Sequence, residues 1–148
     1  MIGWQNLQDK KYSKLSLTKD LLVLLDIRKQ SKVPGTNTKK KQKTFVEVKN
    51  VTLSREKKTA EFPDAVTSRG SKHLLALIDA IKRGYKSYVI FLVQIQDMKK
   101  FKIASDIDNE YYKNYLIAKK SGVNFLAYRC KISLKEIYIE KKIKIIDE

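Results

Sequence analysis

A chain of 148 residues, 43% of them hydrophobic, is long enough for one domain with its own core and too short for two comfortable ones. Its 32 Lys and Arg against 16 Asp and Glu give a formal net charge of +16, which fits a polyanionic partner, nucleic acid ahead of an anionic membrane surface. Cys130 is the only cysteine, which excludes an internal disulfide and a cysteine-based zinc site, and no apolar run is long enough for a membrane span. With no basic-then-apolar secretion signal at the N-terminus, the expected setting is soluble and cytoplasmic.

In chain order, residues 1–17 are largely polar, with Trp4 and Leu7 the main apolar side chains ahead of Tyr12, and read as a frayed remnant. Leu21 to Leu25 is a continuous apolar run between Asp20 and Asp26, as expected for a short strand buried on both faces, with a helix the alternative that pattern alone leaves open. Residues 28–43, with Pro34-Gly35 and the cluster Lys39-Lys40-Lys41-Gln42-Lys43, form a basic loop. A β-rich run follows, Phe45 to Val51, then turn-like polarity over Ser54 to Lys58 and a short strand from Lys58 to Phe62, ended by Pro63-Asp64.

Thr67 or Ser68 caps a helix beginning near Arg69, in which Leu74, Leu77, Ile78 and Ile81 repeat at helical spacing, with Gly84 as its stop. Ser87 to Ile95 is the clearest buried strand. Asp108 caps a second helix, Asn109 to Lys120, whose Tyr111, Tyr115 and Ala118 share a face, with Gly122 as its stop. Val123 to Tyr128 and Ile137 to Ile146 supply two more strands. Helices alternate with strands after Phe62, so the class is α/β: one domain over residues 1–148, a mixed central sheet flanked by helices.

The chemistry centres on Glu47 and Lys49. Side chains alternate along a strand, so Phe45, Glu47, Lys49 and Val51 share one side, with Glu47 and Lys49 roughly 7 Å apart. A carboxylate and a lysine at this spacing suit a divalent metal with an oriented water, as in phosphodiester hydrolysis; the bland alternative is an exposed pair on an edge strand. If the 28–43 loop closes an antiparallel hairpin, Asp20 falls near Lys49 and Glu47 and supplies a second carboxylate. Arg69 and His73 lie one turn apart on their helix and point the same way. His73 reads as a packing or hydrogen-bonding residue ahead of a metal ligand, and the tyrosines of the second helix read as core ahead of base-stacking groups.

Two segments resemble the signature blocks of the sugar fermentation stimulation protein family: Val46-Glu47-Val48-Lys49-Asn50-Val51-Thr52-Leu53, and Phe62-Pro63-Asp64-Ala65-Val66-Thr67-Ser68-Arg69-Gly70-Ser71-Lys72-His73-Leu74. Phe91-Leu92-Val93-Gln94, Ile107-Asp108 with Tyr111, and Gly122-Val123 through Leu126-Ala127-Tyr128 extend the likeness along nearly the whole chain. It implies a PD-(D/E)xK restriction-endonuclease-like domain without the OB-like barrel that usually precedes it. By position, Glu47 and Lys49 match the family's Glu-x-Lys, Asp20 its preceding aspartate, and Asp9 a glutamate before that. Asp64, Arg69, Lys72 and His73 fall in the second block, on the same cleft. Leu17-Thr18-Lys19 replaces the usual Ser-Arg-apolar lead, and Asp106 stands where a histidine is common.

The implied function is DNA binding with a Mg²⁺- or Mn²⁺-dependent phosphodiesterase site. Asp20 and Glu47 would be the metal ligands and Lys49 the residue that orients or deprotonates the water. Arg69, Lys72 and the loop lysines Lys39, Lys40 and Lys41 would contact phosphate. The alternative is a non-catalytic DNA-binding regulator of sugar metabolism on the same scaffold, and RNA is a third partner class, told apart by competition with duplex DNA.

Overall fold

The computed structural model describes residues 44–147 and the backbone of residues 21–25. Asp9, Asp20, the 1–17 remnant and the 28–43 loop with Lys39, Lys40 and Lys41 lie outside the described residues. The elements run β1 (Leu21–Leu25), β2 (Thr44–Val51), β3 (Leu53–Glu56), β4 (Thr59–Phe62), α1 (Ser68–Lys82), β5 (Lys86–Val93), β6 (Lys100–Ile103), α2 (Asn109–Lys120), β7 (Asn124–Ile132) and β8 (Ile137–Ile145). All eight strands join one mixed sheet in the order β1-β2-β5-β7-β8-β6-β4-β3. β2, β5 and β7 are parallel, β1 pairs antiparallel with β2, and β8 pairs antiparallel with β7. Only Thr52 separates β2 from β3 although they sit near opposite ends of the strand order, so the sheet must curl, and β2 comes into contact with β4.

The helices form where local chemistry dictates. Thr67 caps α1, its hydroxyl accepting from the Gly70 N–H at 3.1 Å. Asp108 caps α2 by accepting from the Tyr111 N–H at 2.8 Å, and its other oxygen accepts from the Thr67 N–H at 2.7 Å. One buried carboxylate thereby ties the two helix starts together and satisfies donors that would otherwise be orphaned. Gly84 (φ +84°) and Gly122 (φ +100°) take the left-handed conformation that ends each helix. Both helices pack on the face of the sheet that carries Val89, Phe91 and Val93: Ser87 of β5 donates to the Leu77 carbonyl of α1, and Tyr115 of α2 meets Phe125 of β7 edge-on at 4.6 Å. Phe91, wholly buried, stacks on Phe101 at 4.3 Å and touches Phe62 at 5.6 Å, so one aromatic column joins β5, β6 and β4.

β3 departs from the turn expected over Ser54 to Lys58, and β6 falls in a stretch to which the sequence pattern assigns no element. Their four-residue sequences, Leu-Ser-Arg-Glu and Lys-Phe-Lys-Ile, are too short and polar for a strand signal, and ion pairs hold them instead. The Arg55 guanidinium donates to Glu61 at 2.7 and 3.1 Å and to both oxygens of Asp106 at 2.6 and 2.8 Å, while Lys102 reaches Glu56 at 2.6 Å and Glu61 at 3.5 Å. Asp106 is thereby lowered to about 2 and Glu61 below its usual value, the Arg55 hydrogen bond being the largest cause for both. Depressed carboxylates stabilise above their unfolded values, here 3.8 and 4.5, and that contribution vanishes as pH falls through the folded ones. Arg55→Leu is therefore expected to lower Tm at neutral pH, with the gap from the parent closing between about pH 4 and pH 2. A pH-independent gap in thermal melts would refute the assignment.

Candidate metal and phosphodiester site

Glu47 and Lys49 lie on β2, which runs inside the sheet between β1 and β5, so they are not the edge-strand surface pair of the bland alternative. Their parallel partners on β5 are Val89 and Phe91, both wholly buried, which form an apolar floor. Glu47 is 1% exposed and Lys49 7% exposed. Two charges survive such a floor only if each is paired, because desolvation costs several kcal/mol per ion.

The pairing is asymmetric. Glu47 Oε1 receives both neighbours, Lys49 Nζ at 2.7 Å and His73 Nδ1 at 2.5 Å. Among the described residues Glu47 Oε2 is buried with no hydrogen-bond partner. His73 is held over β2 by α1, its imidazole 21% exposed, so it closes the site from the helix side. Tyr111 of α2 is wholly buried, and its hydroxyl also lacks a partner among the described residues. Burial pushes its phenol well up, with the charge of Glu47 the next cause. Ser71 Oγ on α1 is a third buried orphan. The glycine at position 70 keeps this region closed. A Cβ there would meet Thr67 Oγ1 at 2.8 Å and the Tyr111 ring at 3.1 Å, so any larger residue would push the cap and the tyrosine apart.

Of the residues expected at the site, the structure therefore unites Glu47, Lys49 and His73. Asp64, on the turn after β4, and Arg69 and Lys72, in the first turns of α1, are solvent-exposed. The β1–β2 hairpin is antiparallel as expected, with Leu21 opposite Val48 and Leu22 opposite Glu47; Asp20, which precedes Leu21, is outside the described residues. The unpartnered hydroxyls of Tyr111 and Ser71 were not expected from the sequence. The aromatic stripe of α2 correctly reads as core, and nothing in its spacing marks the hydroxyl as unpartnered.

A carboxylate oxygen that is desolvated and unpaired fits a cation, since hard divalent metals take carboxylate oxygen and an empty interior position is costly. Among the described residues no group of three His, Cys, Asp or Glu side chains comes together. Glu47, held through its other oxygen by His73 and Lys49, offers one donor atom and needs a further carboxylate to complete a donor set.

Residues 24–136 match the family model described as the sugar fermentation stimulation protein RE domain. The sugar fermentation stimulation protein homolog of Pelagibacter ubique is 74% identical over 109 residues, 74% of this chain and 47% of that protein. The homolog of Magnetococcus marinus is 45% identical over 98 residues, 66% of this chain and 42% of that protein. The solved structure of Pyrococcus furiosus SfsA in complex with Ca²⁺ superposes with a TM-score of 0.69 at 24% identity, covering 84% of this chain and 56% of that one. This chain thus spans about half the length of the curated relatives it matches.

Proposed function

We propose, on the premise that the chain belongs to the sugar fermentation stimulation protein family, that it binds nucleic acid and carries a divalent-metal phosphodiester site at Glu47 and Lys49. The single observation that carries this reading is the half-paired Glu47: one oxygen held by Lys49 and His73, the other buried and open. Glu47 would hold Mg²⁺ or Mn²⁺ through that open oxygen, and Asp20, which precedes Leu21 in the sequence, would supply the second carboxylate. A bound metal of this kind neutralises phosphate charge and acidifies its water. Lys49 orients the water, His73 fixes the carboxylate, and Arg69 and Lys72, at the exposed start of α1, contact phosphate. The formal charge of +16 supports a polyanionic partner. That the Pyrococcus furiosus relative was solved with Ca²⁺ supports an oxygen-rich cation site in this fold. A helix-turn-helix reading element is not needed for such binding, which counterion release drives.

Calorimetric titration of Mg²⁺, Mn²⁺ and Ca²⁺ into the chain and into Glu47→Gln tests the site. Saturable binding by the parent, absent in Glu47→Gln and about 10- to 100-fold weaker in His73→Ala, is expected. No binding by the parent removes the metal from the proposal. Metal binding without cleavage of any duplex or single strand leaves the DNA-binding regulator.

A further inference from the structure

We infer that the β7–β8 hairpin is an arm that enters a groove of duplex DNA, with Leu134 as an apolar wedge at its tip and lysines along it as phosphate contacts. The inference rests on the nucleic-acid reading above and names the surface that performs it.

The hairpin outruns its neighbours. β5 pairs with β7 only as far as Arg129, and β6 pairs with β8 only at Lys144 and Ile145. Cys130, Lys131 and Ile132 pair with Ile139, Tyr138 and Ile137, and among the described residues no third strand flanks them, although Cys130 is buried and the Gln96 side chain donates to the Ile132 carbonyl at 2.9 Å. A register shift between Arg129 and Cys130 lies at the base of this two-stranded extension, whose exposed part runs from Lys131 round the turn, and such a bulge adds twist. Its base is fixed: Ile143 is buried, and Arg129 holds Glu140 at 2.5 Å.

The tip is equally ordered. Ser133 N–H donates to the Glu136 carbonyl at 2.9 Å, and Ser133 Oγ accepts from the N–H groups of Lys135 and Glu136 at 3.3 and 3.1 Å. This knitted turn presents Leu134 wholly to solvent, at 107% relative exposure, with Ile137 and Ile139 about half exposed below it. Lys131, Lys135, Lys141 and Lys142 are exposed around them, against a single carboxylate, Glu136, not engaged by Arg129. Single exposed apolar residues mean little. An exposed leucine at the summit of a rigid two-stranded ribbon flanked by four lysines is different. A two-stranded ribbon fits a DNA groove, lysines neutralise its phosphates, and an inserted leucine or isoleucine unstacks a base step. The same positive charge disfavours a second copy of this chain as the occupant.

The test uses the full chain and a short fluorescent duplex, with affinity measured across a salt series and DNA bending by energy transfer between end labels. Changing Lys131, Lys135 and Lys142 together to Gln should flatten the slope of log K against log salt by about 2 to 3, close to 0.9 per lost contact. Leu134→Ala should keep the slope but lose the bend and about tenfold in affinity. Lys82→Gln with Lys120→Gln, exposed at the helix ends, should change neither. If the parent binds duplex and the ribbon variants match it, the arm is refuted while the nucleic-acid reading stands, and the lysines merely protect a free strand edge. Loss of a self-associated species in Leu134→Ala, with DNA binding intact, refutes it as well. No salt-sensitive binding by the parent overturns both.

Discussion

Glu47→Leu alone is expected to destabilise the chain by about 3–5 kcal/mol, yet Glu47→Leu combined with Lys49→Met should be as stable as the parent or more so, by about 1–4 kcal/mol. The single change strands the Lys49 ammonium over Val89 and Phe91 with no anion, since Glu47 is its ion-pair partner. The double change replaces a desolvated pair by apolar groups of similar volume in an apolar setting. Lys49→Met alone should cost less than Glu47→Leu, because Glu47 keeps His73. Urea unfolding of the four proteins closes a double-mutant cycle, and Mn²⁺ titration of each gives the second readout. Restored stability with abolished metal binding separates the two roles: the buried charges are retained for what they bind. Were the double variant destabilised by the sum of the singles, the pair would be a structural strut and the metal proposal would lose its rationale.

Much of this was legible in the residues. The caps Thr67 and Asp108 and the stops Gly84 and Gly122 have local causes, so both helices fall where the pattern places them, within a residue or so. The alternation that puts Glu47 and Lys49 on one side of a strand is equally local. What periodicity cannot convey is position in the sheet. Whether β2 is an edge or an interior strand depends on pairing with β5 across more than 30 residues, and that pairing turns an ordinary Glu-x-Lys into a buried pair. Pattern also misses β3 and β6, because Arg55, Glu61, Lys102 and Asp106 hold them through contacts up to 51 residues apart in sequence. The unpartnered hydroxyl of Tyr111 belongs to the same class: hydrophobic spacing buries the ring, and only the packed core reveals that its polar end has nothing to hold. The two strands of the arm were visible too, but β7 reaches Ile132 and not Tyr128, and that extension carries the hairpin past the strands that pair with its base.

Phe91→Ala is expected to cost about 3–5 kcal/mol and to lower Tm by about 10 °C or more. The ring is wholly buried, stacks on Phe101 at 4.3 Å, meets Phe62 at 5.6 Å and lies parallel to Phe125 at 6.4 Å, so its removal opens a cavity bounded by four strands that cannot all collapse. The effect should reach the site as well. Phe91 is the parallel neighbour of Lys49, and a lysine whose floor has been cut away gains water and rotameric freedom that loosen its hold on Glu47 Oε1. Mn²⁺ affinity, measured where the variant is still folded, should fall about tenfold even though Phe91 contributes no ligand atom, as happens when support behind a metal ligand is removed. A large stability loss with unchanged metal affinity would show that Glu47 is fixed by Lys49 and His73 alone. A stability loss under about 1 kcal/mol would instead mean that the aromatic column is not the centre of the core. The two readouts together therefore locate where the rigidity of the site comes from, the packed sheet or the charged triad itself.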